Sequence, residues 1–145
     1  MPRRPGPRPV CGKRRGQAWF DVLPPRTAKL VAVSGDVPVG IGILAPDGGS
    51  RAHTGSLFLA VHDRFHRRGI GGALLRTLIA SAERFYRLER LGLVVVCKND
   101  VAIKMYQKYG FQIEGRQVGA LHYGGRFHDT YGMALVAHGL AVAAS

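Results

Sequence analysis

A basic, glycine-rich stretch from His66 to Ala73 contains the clearest candidate for chemistry in this chain of 145 residues. It follows a short apolar run, 56–61, and opens a segment in which apolar residues recur at spacings of three and four. That spacing predicts an amphipathic helix over 70–87. The first turn of a helix has backbone N–H groups without intrahelical acceptors and the positive end of the helix dipole. Because glycines let a ligand approach the backbone, this stretch predicts a phosphate site.

Two commoner phosphate-binding loops do not fit this stretch. No Lys-Ser or Lys-Thr pair follows the glycines, so it is not a P-loop. Gly69 and Gly71 lack the third glycine of the dinucleotide fingerprint, and no acidic residue follows in the right setting. The alternative is a tight turn that is basic by chance, and so short a pattern does not decide between the two.

The net charge of +12 is distributed unevenly along the chain. Residues 1–15 contain four prolines and six Lys or Arg, which predicts a disordered basic tail before a domain at 16–137 and a short tail at 138–145. A basic tail is compatible with nucleic-acid binding. It has little aromatic interleaving, however, so we favour a solvated arm and regard nucleic acid as the weaker alternative.

Cysteine usage and hydropathy narrow the class of protein. Cys11 and Cys97 are too few for a disulfide framework and have no metal-ligand partner nearby in the sequence, so we expect no metal. No apolar run reaches the roughly 18 residues of a membrane span, and the N-terminus has no secretory h-region. We therefore expect a reduced, cytoplasmic protein with no membrane partner, in which Cys97 is a small core residue.

The order of predicted elements indicates an α/β (α+β) fold. Strands are expected at 29–33, 37–45, 54–61, 91–97, 111–121 and 127–136, and helices at 70–87 and 101–109. The first pair reads as a hairpin, and the run 91–97 reads as a strand covered on both faces. A strand, a crossover helix and a second strand should be parallel, so 54–61 and 91–97 should form a parallel pair.

The stretch from His66 to Gly71 resembles the pyrophosphate-binding loop of the GNAT family of N-acetyltransferases: Arg or Gln, two residues, Gly, one residue, then Gly or Ala. Two further segments are similar to that family, 99–111 and the set 113–115, 123–129 and 133–134. The second is typical of the YhhY-type branch, whose members are described as acetylating amino acids. The resemblance covers about residues 19–136.

This resemblance implies a GNAT fold, with a mixed, mostly antiparallel sheet and a central parallel strand pair that is splayed and flanked by helices. It implies acetyl transfer from acetyl-CoA to a primary amine, which attacks directly in a ternary complex. The implied site comprises backbone groups of Leu59, Ala60 and Val61 on the pantetheine arm, the amides of Arg67, Arg68, Gly69, Ile70, Gly71, Gly72 and Ala73 on the pyrophosphate, and Asn99 near the sulfur.

Tyr106 is the residue that the resemblance assigns to chemistry, as the proton donor to the leaving thiolate. A phenol is neutral near pH 7 and can donate. From spacing alone Tyr106 could equally be a core aromatic, and Tyr109 is expected only to pack. No general base is evident, since His62, Asp63, His122, Tyr123, His128 and Asp129 are each expected to be structural or surface residues.

The N-terminal part departs from the family. An opening strand and helix that shape the acceptor pocket are expected to be missing, because the first hairpin begins near residue 29. The chain could then be an abbreviated enzyme whose acceptor site a second copy completes, as a homodimer. It could instead be a CoA-binding sensor or an inactive remnant without acceptor turnover.

Overall fold

The computed structural model describes residues 26–66 and 68–137. The predicted tails at 1–15 and 138–145 and the start of the predicted domain lie outside these residues, as does Arg67. The expected loss of an opening strand and helix concerns the same undescribed part. The domain boundaries therefore stay predictions.

Within the described residues the chain forms six strands and two α-helices. They are β1 (Ala28–Ser34), β2 (Val37–Pro46), β3 (Thr54–Val61), α1 (Ile70–Arg84), β4 (Arg90–Val96), α2 (Asp100–Lys108), β5 (Gln112–Tyr123) and β6 (Arg126–Val136). The strands form one sheet in the order β1-β2-β3-β4-β6-β5. Four of its strand pairs are antiparallel and β3 pairs with β4 in parallel, which confirms the mixed, mostly antiparallel sheet. None of the described helices is long and apolar enough to span a membrane.

The parallel pair separates along its length. Paired residues run only from Thr54 opposite Arg90 to Ser56 opposite Gly92, although β3 continues to Val61 and β4 to Val96. Beyond Ser56 the two strands share no ladder, so backbone groups of both face a gap. The splay that the family resemblance implies is therefore present in this sheet.

Helix α1 is the crossover between the parallel strands. Gly69 precedes it with φ of 79°, a left-handed conformation that favours glycine. Leu74, Leu75, Leu78 and Ala82 form its buried face, as the apolar spacing predicted. The helix ends at Arg84 rather than at residue 87, because Arg87 has a φ of 50° and the Leu88 N–H donates back to the Ala82 carbonyl.

The hydrophobic core lies on the face of the sheet that both helices cover. Its most deeply buried members include Leu44, Leu75, Leu78, Phe111 and Met133. Helix α1 approaches β2 closely because that strand has glycines beneath it: a Cβ on Gly42 would lie 2.7 Å from Leu78 Cδ1. This close packing fixes the height of α1 above the parallel pair.

The other face of the sheet, which α1 and α2 do not cover, has both buried and exposed residues: Val39 and Ile43 on it are each only 3% exposed. Phe58 and Val94 lie on it and are 50% and 65% exposed. The expectation that 91–97 is covered on both faces is therefore wrong, because a continuous apolar run shows only that neither face is polar. Cys97 is half-buried rather than a core residue.

The β5–β6 hairpin turns through Gly124 and Gly125, both at positive φ. Its register shifts near Gly115 and again near Gly119. Asp129 Oδ1 accepts a hydrogen bond from the Gly119 N–H at 2.8 Å and so stabilises the second irregularity.

Candidate active site

A cleft of about 630 Å³ opens where β3 and β4 separate. Its walls are the last residues of β3, the later part of β4, the first turn of α1 and one side of α2. Most of the predicted site residues that the structure describes lie in this wall: Leu59, Ala60, Val61, Gly69, Ile70, Gly71, Gly72, Asn99 and Tyr106. The fold therefore brings these sequence-distant residues together, while the role of each stays a prediction.

The first turn of α1 presents unpaired amides to the cleft. The first intrahelical hydrogen bond runs from the Ala73 N–H to the Gly69 carbonyl, at 3.0 Å. The N–H groups of Ile70, Gly71 and Gly72 precede that bond and donate to no described residue. Together with the positive end of the helix dipole, these groups would suit an anion. Ala73 offers no free amide to such a ligand, because its N–H is already bonded and the residue lies outside the cleft wall.

Of the two predicted arginines the structure describes only Arg68, which does not line the cleft. Arg68 is exposed, and its guanidinium lies 5.1 Å from the centroid of the Phe65 ring. Nothing is described for Arg67. Among the described residues, the groups that the geometry offers to an anion are therefore backbone N–H groups rather than the Arg68 side chain.

The hydrogen-bond pattern of β3 decides which of its backbone groups face the gap. The His62 N–H donates to the Val39 carbonyl at 2.8 Å, as part of the ladder with β2. Because antiparallel ladders alternate, Ala60 also bonds to β2 while Leu59 and Val61 point toward β4. The Val61 carbonyl accepts from the His66 ring Nε2 at 2.8 Å. Both backbone groups of Leu59 and the N–H of Val61 remain available to a ligand.

Tyr106 belongs both to the core and to the cleft. It is only 7% exposed, and its ring packs edge-to-face against Phe111 with centroids 5.7 Å apart. Its hydroxyl makes no hydrogen bond with any described residue. Burial raises the pKa of this phenol above its ordinary value of 10.0. The hydroxyl is therefore protonated at neutral pH, and Tyr106 is among the residues that line the cleft.

Asn99 has a structural role besides its place in the cleft wall. Its side-chain oxygen accepts from the Ala102 N–H at 3.2 Å, so Asn99 caps α2. Capping occupies the oxygen and leaves the side-chain NH₂ as a donor. A contact between that NH₂ and the pantetheine arm stays a prediction.

Sequence reasoning missed Met105, which also lines the cleft. A Cβ on Gly71 would lie 3.3 Å from Met105 Sδ, and one on Gly72 would lie 3.1 Å from the Tyr109 hydroxyl. These glycines therefore also let α2 pack against the first turn of α1. Met105 and Tyr109 are one helical turn apart, which is the sequence signal that could have identified this contact. Tyr109 packs against the core, as expected.

The side chains considered as general bases are mostly engaged elsewhere. His62 Nδ1 accepts from the Arg64 N–H, and the rings of Tyr123 and His128 are stacked with centroids 3.7 Å apart. Asp129 pairs with Arg116, whose hydrogen bonds lower the pKa of that carboxyl. Only Asp63 of this set lines the cleft. The described residues contain no cluster of three or more His, Cys, Asp or Glu side chains that could bind a metal.

Comparison with known proteins agrees with this geometry. The family model described as "Acetyltransferase (GNAT) family" matches residues 1–111. The chain is 35% identical to the L-amino acid N-acetyltransferase AaaT of Escherichia coli (strain K12) over 113 residues, which cover 77% of this chain and 70% of that protein.

Solved structures share the fold. An acetyltransferase of the GNAT family from Streptococcus pneumoniae superposes with a TM-score of 0.72 at 30% identity, covering 83% of this chain and 74% of that one. The structure of yncA from Salmonella typhimurium with acetyl-CoA gives the same TM-score at 21% identity, covering 84% and 72%. The family match, the identity to a named acetyltransferase and the splayed sheet lead to one conclusion: this chain belongs to the GNAT family of acetyltransferases.

Proposed function

We propose that this protein transfers the acetyl group of acetyl-CoA to the primary amine of a small molecule, with an amino acid as the first candidate. One observation carries the proposal: a single cleft combines the unpaired amides of Ile70, Gly71 and Gly72 with the protonated hydroxyl of Tyr106. The first group suits a pyrophosphate and the second suits a leaving thiolate. The similarity to an L-amino acid N-acetyltransferase supports the choice of acceptor.

The residues of the cleft fit acetyl-CoA. The N-terminus of α1 would bind the pyrophosphate, and Gly71 leaves its backbone open to close approach. The free backbone groups of Leu59 and Val61 would bind the pantetheine arm as an added strand, because the gap beside β3 lacks a neighbouring strand there. The side-chain NH₂ group of Asn99 would donate a hydrogen bond to the same pantetheine arm. A volume of about 630 Å³ lies in the usual range of ligand sites.

In the proposed reaction, acetyl-CoA would supply the reactive group and residues of the protein would orient it and donate a proton. Bound acetyl-CoA supplies its acetyl group as a thioester that an amine can attack directly. The chain orients that group and excludes water with apolar walls such as Val95 and Met105. Tyr106 holds a proton on its hydroxyl for the departing sulfur. No cysteine lines the cleft among the described residues, which favours direct attack over a covalent relay.

The test is release of free CoA. Acetyl-CoA is incubated with the protein and a pool of amino acids, and the thiol is measured with a chromogenic reagent while mass spectrometry identifies the acetylated product. We expect release that depends on both the protein and the pool. Binding of acetyl-CoA without release on any amine would instead support a CoA-binding sensor and contradict the transferase proposal.

We propose in addition that the protein forms a homodimer. Exposed Phe58, Val94 and Val31 lie on the face of the sheet that α1 and α2 do not cover. Apolar surface of this kind often marks a protein contact. Light scattering coupled to size-exclusion chromatography tests this proposal: a dimer mass supports it, and a monomer mass across the concentrations used for the assay contradicts it.

A further inference from the structure

A second concavity of about 160 Å³ lies beside the cleft, and we call it the side pocket. Its walls include Cys97, Lys98, Arg116, His128 and Asp129. The end of β4 and the turn after it separate the two spaces, since Val95 and Asn99 line the cleft while the residues between them line the side pocket. Consecutive Cα atoms are about 3.8 Å apart, so only a short piece of backbone divides the two.

The acidic group of the side pocket is already satisfied. Asp129 Oδ2 accepts from Arg116 Nε at 3.1 Å and also from Nη2, and Oδ1 accepts from the Gly119 N–H at 2.8 Å. These hydrogen bonds keep the Asp129 carboxylate directed at Arg116 and the bulge of β5. It therefore needs no cation from a ligand.

The two basic side chains of the side pocket have hydrogen-bond donors that no described residue accepts. The Lys98 ammonium has no hydrogen-bond or ion-pair partner among the described residues, and Arg116 Nη1 donates to none of them. One paired acid against two cations gives the side pocket an excess of positive charge. An ammonium and a guanidinium in the wall of one small pocket favour a carboxylate.

We propose that the side pocket binds a carboxylate of the acceptor, so that this enzyme selects amines that carry a carboxylate over amines that do not. This inference rests on the proposed acetyl transfer. The carboxylate lies against Lys98 and Arg116 while the amine of the same molecule lies in the cleft. The carboxylate can be the α-carboxylate or one on the side chain of an amino acid, and matched acceptors distinguish the two.

The experiment compares acceptors that differ in one carboxylate. Phenylalanine against phenethylamine tests the α-carboxylate, and glutamate against glutamine tests a side-chain carboxylate. For the wild type we expect kcat/KM to favour the carboxylate-bearing member of at least one pair by about tenfold or more, the usual effect of a charge-assisted hydrogen bond. Lys98→Glu should remove that preference and Lys98→Arg should retain it. Lys104→Glu, an exposed lysine of α2 outside the side pocket, is the matched control.

The possible outcomes distinguish a failure of the carboxylate inference from a failure of the proposed acetyl transfer. An active enzyme with equal kcat/KM for both members of both pairs overturns the inference and leaves acetyl transfer intact. So does a Lys98→Glu variant that keeps the wild-type preference. No transfer to any amine refutes the proposed function and the side pocket's role together. Lys98 is exposed, and a thermal unfolding curve for each variant shows whether a change in preference comes from lost structure.

Discussion

Replacing Tyr106 with Phe separates its packing in the core from its proposed role as a proton donor, because the substitution removes only the hydroxyl. The ring would keep its edge-to-face contact with Phe111. The hydroxyl has no hydrogen-bond partner among the described residues, so its loss should change the free energy of unfolding by less than about 1 kcal/mol. Loss of a general acid typically costs about 100-fold or more in rate. That factor corresponds to about 2.7 kcal/mol of activation free energy.

The assay measures kcat for acetyl transfer and the melting temperature of the same samples. We expect Tyr106→Phe to lose about 100-fold in kcat with a nearly unchanged melting temperature. Tyr109→Phe is the matched control, because Tyr109 directly follows the same helix but does not line the cleft. Its kcat should remain close to that of the wild type.

The pH dependence of the wild type gives a second readout. Burial raises the pKa of Tyr106, so the proton-donating form is complete at neutral pH and is lost only as the pH rises through a value above 10.0. The alkaline fall that this group contributes should be absent from Tyr106→Phe. The reasoning is refuted if Tyr106→Phe retains wild-type kcat at neutral pH.

Three further predictions concern the loop, the hairpin and the core. His66→Ala removes the hydrogen bond to the Val61 carbonyl, so acetyl-CoA affinity measured by calorimetry should fall about fivefold, whereas His66→Gln, which can still donate, should lose less. The pKa of Asp129 is lowered by Arg116 and the Gly119 N–H, so its stabilisation is complete above the ordinary pKa of 3.8 and is lost as the pH falls from there through the lower pKa of the folded state. Asp129→Asn should therefore lower the melting temperature more at pH 7 than at pH 3, and an equal loss at both would contradict this. Gly42→Ala places a Cβ 2.7 Å from Leu78 and should cost about 1–3 kcal/mol in urea unfolding, unlike Gly132→Ala, which meets nothing within 4 Å.

Much of the sheet could be predicted from local sequence. Apolar runs and turn residues located the strands to within a few residues, and the crossover rule gave the parallel pair. Whether other elements bury one face of β4 or both faces could not be predicted in the same way. Its run of apolar residues is equally compatible with burial on both faces and with the 65% exposure of Val94. Which face is covered depends on the placement of α1 and α2, a tertiary property.

The candidate site was predicted by resemblance, and the structure adds what spacing does not contain. Glycine spacing indicated an anion site but did not show that the Ala73 amide is already used within α1. The sequence of β3 did not reveal that Ala60 bonds to β2 while Leu59 and Val61 face the gap, because ladder parity depends on the register with β2. Cys97 was predicted to be a core residue, yet it lines the side pocket.

The central claim is that acetyl-CoA binds in the cleft with its pyrophosphate at the N-terminus of α1. Calorimetric titration of acetyl-CoA into the wild type and into Gly71→Val tests it most directly. A Cβ at residue 71 would lie 3.3 Å from Met105 Sδ and 3.7 Å from Val61 Cγ2, so a valine would crowd these two residues of the cleft wall beside the first turn of α1. We predict saturable one-to-one binding to the wild type and to Gly48→Val, where a Cβ meets nothing within 4 Å, and at least about tenfold weaker binding to Gly71→Val. Equal affinity of a folded Gly71→Val and the wild type would contradict the account.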